Sequence, residues 1–176
     1  VVTRNRLIEM VWDHDPPATA DRQVQNLVAM LRRILVAHGA SNDVITTERA
    51  GYAIRLGAHR LDAVRFVSLV DRARLLRASD AAAAATAYRS ALAQWRGPAL
   101  SGIGSRALES AAASWDERRT GAQEECLACE LECGLHLETV AELRALVAQH
   151  PFRERLTWLL MLALCRCGRQ ADALEA

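Results

Sequence analysis

The sequence contains no lysine; all 22 basic residues are arginine. Together with the heavy alanine usage, this points to a GC-rich coding sequence. No apolar run approaches the ~20 residues a membrane span requires, so a helical membrane protein is excluded. No signal-peptide pattern opens the chain. The net charge is +1, which removes any global basic character that would advertise a nucleic-acid partner. Catalytic motifs are missing as well. "SGIGS" carries a lone G-x-G that follows no strand run and has no phosphate-loop lysine. There is no G-x-S-x-G or H-E-x-x-H, and His136 and His150 have no acidic partner at helical spacing. The expectation is a non-enzyme with no catalytic residues and no cofactor. An initiator methionine is absent, and the last residues sit inside an unfinished helical pattern. The reading is a fragment of a longer cytoplasmic protein.

Five cysteines are present. Cys126, Cys129 and Cys133 fall on one stripe of one helix, whereas Cys165 and Cys167 face different ways on another. A metal site is the functional alternative, but the spacing matches no zinc-ribbon or zinc-finger pattern. The cysteines are expected to be reduced, mostly buried and free of metal, as small apolar residues. Trp12, Trp95, Trp115 and Trp158 read as packing residues.

The two parts of the chain follow different patterns. Residues 1–60 change pattern every few positions. "TRNRLIEMVW" (3–12) predicts a short helix capped by Thr3, with Leu7, Ile8, Val11 and Trp12 on its apolar face. "DHDPPAT" ends it, because the residue before a proline is pushed out of helical geometry. Thr19 is expected to cap a second helix that Gly39 stops. "VITTE" and "YAIRL" are β-prone runs, and the glycine of the connecting "RAG" suits a tight hairpin turn. Helix, turn, helix and hairpin is the order of a winged helix-turn-helix.

Residues 61–176 are nearly all helical and alanine-rich. Gly134 and Gly168, each within a "CG" dipeptide, lie 34 residues apart. That is the period of tetratricopeptide repeats, helix pairs that stack because neither member buries its apolar face alone. Pro151 fits the closing proline of such a repeat, and "ASDAAAAATAYRSALAQW" (78–95) reads as an earlier copy. "RGPALSGIGS" (96–105) then forms an extra loop. The plainer alternative is a three- or four-helix bundle. The predicted class is mainly α: a partial winged helix-turn-helix with a β-hairpin wing over 1–60, then a TPR-like helical domain over 61–176.

The stretch "RQVQNLVAMLRRIL" (22–35) decides the function. At about 100° per residue, Val24, Val28, Leu31 and Leu35 share a narrow arc, and Arg22, Asn26 and Arg33 lie opposite. The inner stripe is expected to pack on the first helix and the hairpin, and the outer one to cross a major groove. Gln23 and Asn26 suit paired bonds to adenine, while arginine suits guanine or phosphate. A solvated helix face accounts for the same residues equally well. Arg32 and Arg33 suit phosphate contact or complement of the helix dipole. Arg49 at the hairpin turn suits the DNA backbone or minor groove, or is simply an exposed turn residue.

The segments "RLIEMVWDHDPPATADRQVQNLVAMLRRIL" and "ITTERAGYAIRL" resemble the winged helix of OmpR/PhoB-type regulators. They are most similar to the SARP family of actinomycete antibiotic-regulatory activators. The resemblance continues through "DAVRFVSLVDRAR", "ALAQWRGPAL", "AELRALVAQHPFRERL" and "LMLALCRCGRQADALEA", which look like a bacterial transcriptional activator domain. It implies a sequence-specific activator that binds double-stranded DNA, with RNA polymerase and a second copy as protein partners. The implied DNA-binding residues are Arg22, Gln23, Asn26, Met30, Arg32, Arg33 and Arg49. Met30 and Leu27 depart from the family pattern, which usually has a polar or basic residue and often a histidine there. Met30 then either touches a thymine methyl or weakens base readout. The resemblance also implies a small sheet and a helix before residue 1, so the winged half is expected to depend on upstream residues whereas 61–176 folds alone. Two other readings remain: a protein-interaction scaffold with a degenerate winged helix, and the front of a larger ATPase-containing regulator.

Overall fold

Thr3 sets the first helix, its hydroxyl accepting a hydrogen bond from the Arg6 amide at 3.3 Å. The computed structural model describes residues 1–56 and 61–176. The sequence-expected border after residue 60 lies outside the described residues. In chain order the elements are β1 (Val2–Thr3), α1 (Arg4–Trp12), α2 (Ala20–Ala37), β2 (Ile45–Glu48), β3 (Gly51–Ile54), α3 (Asp62–Arg77), α4 (Ala81–Leu92), α5 (Arg106–Glu132), α6 (His136–Gln149), α7 (Glu154–Arg166) and α8 (Gln170–Glu175). The class is mainly α, as the hydrophobic periods predict. Two units are distinguished by their internal contacts: Val1–Leu61 with Gly97–Asp116, and Asp62–Arg96 with Glu117–Ala176.

In the first unit, Val24 and Val28 of α2 are 3% and 8% exposed and form a small core with Val44 and Ile45. Leu7, Ile8, Trp12 and Tyr52 pack against it. Leu31 and Leu35, expected on the same inner stripe, are exposed instead, as is Val11 of α1. The core engages only the first two of the four stripe residues, so the later turns of α2 keep an apolar surface. Thr19 makes no capping bond. Its ψ of 8° is far from the extended value that aims a cap oxygen at the next amides. Its hydroxyl accepts instead from the Gln23 side-chain amide at 2.9 Å.

The three strands form an antiparallel sheet in the order β1-β3-β2. Within the hairpin Glu48 pairs with Gly51, which leaves Arg49 and Ala50 as the turn. Strand β1 was not foreseen, and it changes the reason for Gly51. That residue lies in β3 opposite Thr3 rather than in the turn. A Cβ there would stand 1.9 Å from the Val2 carbonyl oxygen, so the glycine permits β1 to approach. Residues 97–116 also belong to this unit. The Ser105 hydroxyl donates to the Met10 carbonyl, and the Ala99 amide donates to the Asp116 carboxylate at 3.1 Å.

The second unit is built from helical hairpins. Asp80 caps α4 by accepting from the Ala83 amide at 2.8 Å. Gly134 and Gly168 both take left-handed φ values, 88° and 76°. Each follows a helix end in the same way: the Leu135 amide donates back to the Glu130 carbonyl, and the Arg169 amide to the Leu164 carbonyl. The 34-residue spacing therefore marks two equivalent helix stops, as the repeat reading requires. Leu127, Leu131, Leu143, Leu156 and Leu164 form the shared core of α5, α6 and α7. Trp158, expected to pack, is 59% exposed on α7.

The cysteines correct one expectation. Cys126 and Cys129 are buried, but Cys133 and Cys165 are exposed and Cys167 is half-buried. Cys133 lies one residue beyond the end of α5, where the stripe leaves the core. Burial pushes the Cys126 thiol up to about 12. Iodoacetamide at pH 8 should therefore label Cys133 and Cys165 quickly, and Cys126 and Cys129 only on unfolding. The raised thiol also makes the fold hold its proton more tightly. Its contribution to stability is complete below about pH 9 and is lost as pH rises toward 12. Rapid labelling of Cys126 by mass spectrometry would contradict this placement.

Candidate nucleic-acid interface

Helix α2 is held at its N-terminal half by the valine core and further along by Arg32. The Arg32 Nε donates to the Ile45 carbonyl at 2.8 Å and its Nη2 to the Thr47 hydroxyl at 2.9 Å. These bonds fix the rotation of α2 against the hairpin. Arg32 stands about 80° from Val24 around the helix, on the flank nearest β2. That wheel position was the available signal for this tie, which phosphate contact and dipole complement both overlooked.

With this rotation, Arg22, Gln23, Asn26, Met30 and Arg33 are all exposed. Arg22, Asn26 and Arg33 share one arc opposite Val24 and Val28. Among the described residues, no hydrogen bond or ion pair engages the side chains of these three. Gln23 differs, because its amide already donates to Thr19. A paired bond to adenine would require it to turn away. Met30 is 43% exposed and lies beside Asn26 on the wheel. It thus borders the polar arc rather than interrupting it. Arg49 is exposed at the tip of the hairpin, two residues before Tyr52's neighbour Gly51 in the ladder. The arrangement presents two separate basic features in one unit, a helix face and a hairpin tip. Such a pair can engage phosphates on either side of a groove while amide groups meet base edges.

Among the described residues, no group of three or more His, Cys, Asp or Glu side chains is placed to hold a metal ion. No described helix is long and apolar enough to cross a membrane.

Comparison with known proteins agrees with this arrangement. Residues 1–54 match the family model described as "Transcriptional regulatory protein, C terminal", and residues 61–176 match the "Bacterial transcriptional activator domain". The chain is 38% identical over 173 residues to the regulatory protein AfsR of Streptomyces griseus, covering 98% of this chain and 17% of that protein. It is 35% identical over 185 residues to the regulatory protein DnrI of Streptomyces peucetius, covering 100% of this chain and 68% of that protein. The solved structure of Mycobacterium tuberculosis EmbR in complex with a low-affinity phosphopeptide superposes with a TM-score of 0.89 at 29% identity. That match covers 99% of this chain and 47% of the EmbR chain. A helix face and hairpin of the winged type, followed by helical hairpins and joined in this order in such relatives, place the chain in the SARP-type family of transcriptional regulators, an OmpR/PhoB-type winged helix preceding a bacterial transcriptional activator domain.

Proposed function

We propose that this chain binds operator DNA through residues 1–60 and recruits protein through residues 61–176, as part of a cytoplasmic transcriptional activator that performs no catalysis. The observation that carries the reading is the unengaged arc of Arg22, Asn26 and Arg33, held outward by the core beneath and by Arg32 at the side. In this reading Asn26 reads adenine, Met30 meets the adjoining base edge, and Arg22, Arg33 and Arg49 neutralise phosphate. Gln23 joins the readout when it leaves Thr19. Arg32 contributes by orienting α2. RNA polymerase and a second copy of the protein are the partners proposed for the helical part. The small share of AfsR that the chain covers favours a place within a longer regulator. The exposed Trp158 favours protein contact by the helical unit, which also suits a pure scaffold.

The test is a binding titration of the intact regulator on duplexes selected from a random pool, at several salt concentrations. Arg33→Ala should weaken binding to every sequence and reduce the salt slope by about 1. Asn26→Ala should cost about 1–3 kcal/mol on the selected site and little elsewhere. Arg32→Ala should lower the thermal midpoint along with affinity, since it removes the tie to β2. Unchanged affinity in both Arg33→Ala and Asn26→Ala would remove α2 from the interface and favour the scaffold.

A further inference from the structure

A groove of about 770 Å³ opens in the second unit between α3 and α5, with α4 contributing Tyr88. That volume lies in the range of small-molecule sites. Phe66, Val70 and Ala122 supply an apolar floor, and all three are buried. On α5, Gly121 leaves the helix bare at the groove, and a Cβ there would meet nothing within 4 Å.

The rim is charged, but its charges already have partners. Arg77 pairs with Glu125 and Glu132, Arg74 with Asp71, and Glu124 with Arg153. A ligand selected for net charge would have to break these pairs. Tyr88 is different. It is only 1% exposed, and its hydroxyl has no hydrogen-bond partner among the described residues. A buried hydroxyl left unpaired is costly, and a ligand oxygen that meets it recovers that cost.

We propose that this groove binds an uncharged aromatic molecule of small size that carries one hydroxyl or carbonyl oxygen. The ring system covers Phe66, Val70 and Ala122 alongside the bare backbone at Gly121. The ligand oxygen pairs with the Tyr88 hydroxyl. The helical unit thereby holds an effector site separate from the residues that face DNA. Nothing in this inference depends on DNA binding.

Calorimetric titration of the full chain with 2-naphthol tests it, with 2-methylnaphthalene as the partner of equal shape that lacks the oxygen. The expected result is one saturable site, with naphthol preferred by about tenfold, the worth of one neutral hydrogen bond. Tyr88→Phe keeps the ring and should abolish that preference while both compounds still bind. Gly121→Leu fills the groove and should remove both, with a thermal midpoint no lower than that of the parent. No saturable naphthol binding to the parent would overturn the proposal. So would binding that Gly121→Leu leaves intact, or a preference that Tyr88→Phe does not change. Binding of a protein segment in the groove with naphthol excluded would assign it to a partner instead, and would overturn the proposal equally.

Discussion

Arg89→Ala should destabilise the helical unit by about 3 kcal/mol, the low end for breaking a buried ion pair. The Arg89 Nε and Nη2 each donate to the Glu130 carboxylate at 2.7 Å, and Nη1 and Nη2 reach Glu142 at 3.1 and 2.8 Å. One guanidinium thus joins α4, α5 and α6. Glu130 is buried, so losing its partner leaves a carboxylate in a poorly solvated place. The low end applies because Arg89 itself is partly exposed and water can enter where it stood. Arg89→Lys should fall between the parent and alanine, since a point charge cannot reproduce the fork. The double change Arg89→Met with Glu130→Leu should recover most of the loss, because no charge is then stranded. Urea unfolding followed by circular dichroism measures all three. A loss below about 0.5 kcal/mol for Arg89→Ala would show that the three-helix pair is surface decoration.

Gly51→Ala should damage the first unit by about 1–3 kcal/mol, a large part of the stability of a small domain. The added Cβ would lie 1.9 Å from the Val2 carbonyl oxygen and 2.8 Å from the Thr3 Cα. Both are backbone atoms, so relief requires β1 or β3 to move. If β1 moves, its pairing with β3 and the bond from the Arg4 amide to the Ala50 carbonyl at 3.2 Å are lost together. If β3 moves, the turn that carries Arg49 moves with it. Gly97→Ala is the control, since a Cβ there meets nothing within 4 Å. Thermal melts of the two variants should separate clearly. Equal midpoints would mean that β1 leaves without cost and that Gly51 is free to vary.

What the sequence made legible follows from how local each signal is. The Thr3 cap, the Gly134 and Gly168 helix stops and the Val24–Val28 face each depend on neighbours within one or two turns. Those readings match the structure. The misses involve distant partners. Strand β1 has two residues, too few for any period, and it forms only because β3 offers an edge. Gly51 looked like a turn residue since nothing nearby reveals that Val2 approaches it. Arg32 has its partners 13 and 15 residues away, in a strand whose register a helical wheel does not contain. Leu31 and Leu35 continue the apolar period beyond the point where the small core ends. Cys133 follows the same stripe past the end of its helix. For the DNA-facing residues, the wheel selected the arc, and the structure added which members have bonds elsewhere in the protein.

The bond between Ser105 and Met10 has a consequence for synthesis. The first unit is discontinuous along the chain: its closing segment, residues 97–116, follows α3 and α4. A ribosome emits about 5–20 residues each second, so this unit waits several seconds for its last piece. During that interval α3 and α4 emerge with local contacts ready to form, while the valine core of α1 and α2 lacks the segment that anchors Met10. The later helices thus have their first opportunity to fold before the earlier ones are complete. A message cut after codon 61 would deliver the helix that faces DNA without the stretch that closes its own unit.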